Sequence, residues 1–163
     1  MTKRKNLSLI PYHLSRLSGF TLIELLVVIS IIGILAGLTL SSYSGAQKQA
    51  RDSQRRSDLN QYRNSLEVYA GANNLKYPSY ANENAYNAAT SLYSTHLTSV
   101  MSSALIDPVN TGDNIYYYRV NGTTATQYVL YGGLETGGFW EVCSNGKTGK
   151  IAAVPTNSTC TVP

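Results

Sequence analysis

Apolar and polar positions divide this chain into zones of different period. From Leu25 to Gln47 there is no charged residue, and Leu25 to Leu38 is almost wholly Leu, Ile, Val, Ala and Gly. A stretch that is apolar all round belongs in lipid or at the centre of a bundle. Its length suits a bilayer, which a helix crosses with roughly 20 apolar residues. No proline lies between Pro11 and Pro78. The helix is therefore expected to continue from about Phe20 to about Ala72, a rod of roughly 80 Å.

The second half of that helix changes character. Charges gather near Arg51–Asp58, and then Leu59, Tyr62, Leu66 and Tyr69 step by three, four and three residues. These four share one helical face, which predicts packing against a folded body. Gly71 and Asn73-Asn74 weaken the helix, and Tyr77-Pro78-Ser79 ends the region. Residues 79–85 read as a loop. Tyr86, Ala89, Tyr93, Leu97 and Val100 recur at helical spacing and predict a second helix from about Tyr86 to Ala104.

After Asn114 the pattern becomes aromatic and β-branched. Ile115–Val120, Thr126–Tyr131 and Phe139–Cys143 read as strands, with Lys150–Val154 a short fourth. Asn121-Gly122 is a hairpin signal. Short turns favour an antiparallel sheet. The fold class is α+β: one long helix packed on a small antiparallel sheet.

Charge changes the picture in one respect. The chain of 163 residues carries a formal +4. Lys3, Arg4, Lys5 and Arg16 precede the apolar stretch with no acid among them. Without that leader, nine Lys/Arg face nine Asp/Glu. The basic character belongs to the leader and points to a membrane, not to a nucleic-acid-binding body. Four cations also follow the apolar stretch, Lys48, Arg51, Arg55 and Arg56, so the positive-inside rule leaves orientation open. Both cysteines, Cys143 and Cys160, lie beyond the stretch. An even late pair suits an oxidising compartment and puts the C-terminal body outside the cytoplasm.

Glu24 is the anomaly of the apolar zone. An acid within a membrane helix costs energy and is a functional-site candidate. A secretory signal has a shorter apolar stretch, and a plain signal anchor would not require this acid. The run Gly19-Phe20-Thr21-Leu22-Ile23-Glu24-Leu25-Leu26-Val27-Val28 resembles the processing site of bacterial type IV pilins and type II secretion pseudopilins. Ala50-Arg51-Asp52, Tyr77-Pro78 and Asp107-Pro108 resemble later parts of pseudopilin-like chains.

The resemblance implies cleavage between Gly19 and Phe20 by a membrane prepilin peptidase, with methylation of the new Phe20 amine. It implies that Glu24 of one subunit pairs with the amine of a neighbour in assembly. It divides the chain into a leader (1–19), a transmembrane and assembly helix (20–45) and an extracytoplasmic body (46–163). Implied partners are identical and related pilin subunits, the peptidase, an inner-membrane assembly platform with its ATPase, and the lipid bilayer. A Cys143–Cys160 disulfide is likewise supported by resemblance to pilins that close their C-terminal region in this way. A type IV pilus-like filament subunit is the favoured function. The alternative is a major pseudopilin (G-type) of a type II secretion system, and a minor one is a membrane-anchored extracellular binding domain or enzyme.

Other candidates carry less. Gly33 and Gly37 form a small-xxx-small pattern that lets apolar helices approach closely; glycine is also common in membrane helices. Arg51, Asp52, Arg55, Arg56 and Asp58 read as a solvated face, with Asp52 and Arg56 a helical i,i+4 pair. Because the mature chain is formally neutral, DNA is not an expected partner. Only His96 remains after processing and no CxxC spacing occurs, so no metal site, no cofactor and no enzymatic constellation are expected.

Overall fold

The computed structural model describes residues 19–162, without the side chains of 39–42. The leader cations Lys3, Arg4, Lys5 and Arg16 lie outside the described residues. The chain divides into two compact units between Ser41 and Ser42. Helix α1 (Leu22–Ala72) contributes to both, and each unit is described by itself.

In the first unit, every large apolar side chain from Phe20 to Leu38 is exposed. Among the described residues, no single helix is long and apolar enough to cross a membrane. Leu22–Leu38 and Tyr43–Ala72 reach that length and composition only when taken together.

The second unit is α+β. Its part of α1 packs on a five-stranded antiparallel sheet of order β1-β2-β3-β4-β5. The strands are β1 (Tyr86–Asn87), β2 (Tyr117–Val120), β3 (Tyr128–Gly133), β4 (Phe139–Cys143) and β5 (Thr148–Ile151). Leu59, Tyr62 and Leu66 of α1 are fully buried against Tyr118, Val120, Tyr128, Leu130 and Val142 of the sheet. Tyr69, on the same helical face, packs at the margin of this core. The helix stops where Asn74 and Leu75 take positive φ, with the Leu75 amide donating back to the Ala70 carbonyl.

The region after it differs from the expected helix. Tyr86 and Asn87 form β1, paired with Tyr118 and Tyr117 of β2. Helix α2, Ala88–Leu97, follows with π winding. Asn87 sets its start: the Asn87 side chain accepts from the amides of Ala89 and Thr90, an N-cap that fixes the first turn. Val100, expected on the helix, lies beyond its end.

The turns also divide. Asn145-Gly146 makes the tight β4–β5 connection, with Gly146 at φ 86, a conformation that favours glycine. Asn121-Gly122 does not make a two-residue hairpin. The Asn121 side chain accepts from the amides of Thr126 and Gln127 and donates to Thr126 Oγ1, bracing a wider loop. Strand β5 starts two residues before the expected Lys150, because the tight turn returns the chain sooner.

Candidate functional site

The Gly19–Glu24 run builds the start of α1. The Glu24 amide donates to Thr21 Oγ1 at 3.2 Å, while Glu24 Oε2 accepts from the Thr21 amide and from Thr21 Oγ1, both at 2.8 Å. This is a capping box: two groups that a helix start leaves orphaned satisfy each other through Thr and Glu three residues apart. Glu24 is therefore exposed yet held at Oε2 by its own chain. Gly19 and Phe20 are exposed ahead of the cap. At Gly33 and Gly37 an added Cβ would meet nothing within 4 Å, so the chain itself does not require glycine there.

A second polar site lies on α1 in the body, and it corrects the expectation of a solvated face. Arg55, Asp52 and Asp58 are buried. Arg55 Nε and Nη2 donate to the two oxygens of Asp107 at 2.6 and 2.9 Å, a bidentate pair across the loop before β2. Arg55 Nη1 reaches Asp52 at 2.7 Å and Glu135 at 2.9 Å. Asp52 thus pairs with Arg55, one residue nearer than the Arg56 expected from spacing. Asp52 also accepts from the Glu135 amide and from the amide and hydroxyl of Thr136. Arg51 completes the cluster on Glu135.

Electrostatics follow from this geometry. The bond to Asp107 chiefly raises the Arg55 pKa above its ordinary value against the cost of burial. Burial works against an ionised Asp52, but the Thr136, Glu135 and Arg55 bonds outweigh it and lower its pKa. Glu135 is brought down to about 2, first by its bond to Arg51. A buried arginine satisfied by three carboxylates fixes the geometry of helix, loop and β3–β4 turn at once. Removing one partner would leave an uncompensated buried charge.

Tyrosine hydroxyls extend the network. Tyr116 donates to Asp58 at 2.7 Å, Tyr128 to Glu67 at 3.0 Å and Tyr118 to the Pro78 carbonyl at 2.8 Å. Tyr62 donates to the Leu105 carbonyl and accepts from the Leu105 amide. Burial pushes Tyr62 and Tyr80 up to about 12 and raises Tyr116 further. Asp107-Pro108 and Tyr77-Pro78 are thus tied to the body by Arg55 and Tyr118.

Cys143 of β4 and Cys160 of the C-terminal segment form a disulfide with Cα atoms 5.7 Å apart. Glu141, fully buried next to it, accepts from the amides of Thr161 and Val162 and from Thr161 Oγ1. Glu141, Cys143 and Cys160 lie within ligand distance of one another, but both sulfurs are bonded to each other and offer no thiolate. His96 sits edge-on to Tyr69 and Tyr80, and burial lowers its pKa.

Sequence reasoning leaves two features unread here. The capping box has a visible signature, Thr21-x-x-Glu24. The Arg55 cluster has none, since Asp107 and Glu135 come from two segments distant in sequence and only Asp52 is local.

Comparison with known proteins adds two findings. The model of the prokaryotic N-terminal methylation motif matches residues 14–40. Over 63 residues the chain is 43% identical to the type II secretion system core protein G of Aeromonas hydrophila, covering 39% of this chain and 43% of that protein. The chain thus matches less than half the length of this relative. No solved structure matches the chain. The resemblance to type IV pilins and type II secretion pseudopilins rests on the N-terminal motif and on this relative.

Proposed function

We propose that this chain is a structural subunit of a type IV pilus-like filament, cut between Gly19 and Phe20 and polymerised through its apolar helix. The observation that carries the reading is the exposed apolar surface from Phe20 to Leu38, behind a matched methylation motif. Exposed apolar surface of that extent calls for lipid or other subunits to cover it. The subunit waits in the inner membrane with its body outside the cytoplasm and then leaves the bilayer for the filament. Its partners are like subunits, the peptidase and the assembly platform with its ATPase. Glu24 pairs with the Phe20 amine of a neighbour. An apolar helix slides along another at little cost, whereas a buried amine–carboxylate pair permits one offset. Gly33 and Gly37 allow close approach of neighbouring helices.

A second reading is favoured by the secretion-system relative: the same subunit building a short periplasmic pseudopilus. Intact-mass analysis and electron microscopy test the shared part. Mature chains should begin at methylated Phe20, and Glu24→Ala subunits should be processed but should not polymerise alone. Normal filaments built only from Glu24→Ala subunits would overturn the pairing. Deleting the gene separates the two readings: loss of surface fibres supports the pilus, and loss of exported enzymes with fibres intact supports the pseudopilus.

A further inference from the structure

Two Asn-Gly steps occur in this chain, Asn121-Gly122 and Asn145-Gly146. Such a step carries chemistry of its own. A glycine has no Cβ to hinder its backbone nitrogen, so that nitrogen can close a five-membered ring on the side-chain carbonyl carbon of the asparagine before it. Both steps lie in loops between strands, β2–β3 and β4–β5. Both glycines have positive φ, 59 at Gly122 and 86 at Gly146. Both glycine amides donate to a backbone carbonyl, Gly122 to Val120 at 2.8 Å and Gly146 to Cys143 at 3.0 Å. In dipeptide sequence and in the state of the attacking nitrogen the two steps are alike.

Their asparagine side chains are not. Asn121 is half-buried. Asn121 Oδ1 accepts from the amides of Thr126 and Gln127 at 2.9 and 3.1 Å, and Nδ2 donates to Thr126 Oγ1 at 2.9 Å. All three bonds must open before this side chain can turn toward Gly122, and the nitrogen that would leave is itself held. Asn145 is exposed, as are Gly146 and Lys147 after it. Its Oδ1 accepts one bond, from the Lys147 amide at 3.0 Å, the local turn that asparagine makes with the backbone two residues on. Asn145 Nδ2 carries no hydrogen bond among the described residues. Water has direct access to it.

We propose that Asn145 is a site of spontaneous deamidation, converted to aspartate and isoaspartate, and that the side-chain brace protects Asn121 from the same reaction. Gly146 N gives its proton to solvent and forms a bond to Asn145 Cγ. The Cγ–Nδ2 bond breaks, and Nδ2 takes a proton from solvent and leaves as ammonia. Water then opens the succinimide ring. Attack at the side-chain carbonyl gives aspartate, and attack at the backbone carbonyl gives isoaspartate. The sum is one water in and one ammonia out, with nothing oxidised or reduced.

The product changes the turn in two ways. Residues 42–162 hold nine cations and eight acids, so one conversion makes the two counts equal. The new carboxylate arises in the turn that Arg63 approaches, with Nη2 3.8 Å from where a Cβ on Gly146 would stand. Isoaspartate also adds a methylene to the main chain between Cys143 and Lys147, which are joined by a 2.9 Å bond from the Cys143 amide to the Lys147 carbonyl. The age of a chain is thereby recorded as charge at one turn.

The inference is independent of whether the filament is a pilus or a pseudopilus. Its test incubates the full chain in detergent micelles in neutral buffer, digests samples at acidic pH and follows each asparagine peptide by mass and retention. The Asn145 peptide should gain about 1 Da and split into an aspartate and an isoaspartate form. It should do so about tenfold faster than the Asn121 peptide or more, because Asn121 has two further side-chain hydrogen bonds to break. Raising the pH by one unit should speed conversion by up to about tenfold, because it multiplies the amide anion by that factor. Asn145→Gln, whose longer side chain cannot close the five-membered ring, should keep the thermal midpoint and abolish the gain in that peptide. Thr126→Ala releases Asn121 Nδ2 and should speed conversion at Asn121 by about threefold or more. In about 8 M urea the two sites should convert at rates within about twofold of each other. Equal rates in the folded chain would overturn the proposal. A contrast that persists in urea would assign it to neighbouring residues and not to the fold. Aspartate without isoaspartate would replace ring closure by direct hydrolysis, and an unchanged Asn121 rate in Thr126→Ala would overturn the protection.

Discussion

The two parts of α1 follow opposite rules. Before Ser41 the helix exposes Leu25, Ile29 and Ile32 and carries one acid, Glu24, at its start. After Ser42 it buries Asp52, Arg55 and Asp58 beside Leu59 and Tyr62. A helix that exposes its apolar residues is incomplete by itself, and its stability depends on what surrounds it. A helix that buries a satisfied arginine is already complete. The charges of the second part act within one chain, and the large apolar residues of the first stay exposed.

Mutations that respect or invert this contrast should separate it. The largest effect is expected from Arg55→Met. It strands Asp52 and Asp107 without their cation, and should destabilise the body by about 3–5 kcal/mol in denaturant unfolding. Triple replacement of Arg55, Asp52 and Asp107 by apolar residues of similar size should recover much of that loss. Next is reduction of Cys143–Cys160, which span 17 residues. Thiol reductant should lower body stability by about 3 kcal/mol, read as a shift in the urea midpoint.

Changing pH should produce a graded response with two limbs. Glu135, at about 2, and Asp52, also lowered, contribute stability above the ordinary carboxylate range. That contribution is lost as pH falls from about 4.5 toward 2. The buried tyrosines act at the other end. Tyr62 and Tyr80 stay protonated up to about 12 in the folded body, while unfolded tyrosine ionises near 10. Stability should hold below pH 10 and fall as pH rises between about 10 and 12. Tyrosinate absorbance and circular dichroism should change together there. The smallest effect belongs to Leu26→Ala, which should move the unfolding midpoint of the body by less than about 0.5 kcal/mol, as expected for a side chain that contributes nothing to that core.

Periodicity reveals what packing alone determines. Leu59, Tyr62 and Leu66 lie on one helical face in the sequence and are fully buried in the fold. Strand β4 matches its sequence pattern at both ends, because its apolar run is bounded by glycines on one side and Asn145-Gly146 on the other. Arg55 is illegible for a physical reason. Hydropathy assigns arginine to solvent, and its burial is made tolerable by Asp107 and Glu135, distant in sequence, together with Asp52. Strand β1 is too short to leave a period, and it exists because Tyr86 and Asn87 lie along the edge of β2. Asn121-Gly122 misleads because the Asn121 side chain replaces backbone bonds that a two-residue turn would make. At Glu24 the family resemblance points to a neighbour's amine, while the local Thr21-x-x-Glu24 pattern gives the carboxylate a first partner in its own chain.

The segment around Cys160 is fixed to the sheet by covalent, polar and apolar contacts. Thr161 and Val162, one and two residues beyond the disulfide at Cys160, donate their amides to Glu141. The Val162 side chain lies so close to Gly149 that a Cβ there would come within 2.8 Å of it. A protease would have to lift this segment off the sheet before it could cut there. Resistance to local cleavage is thus built into the segment that follows β5.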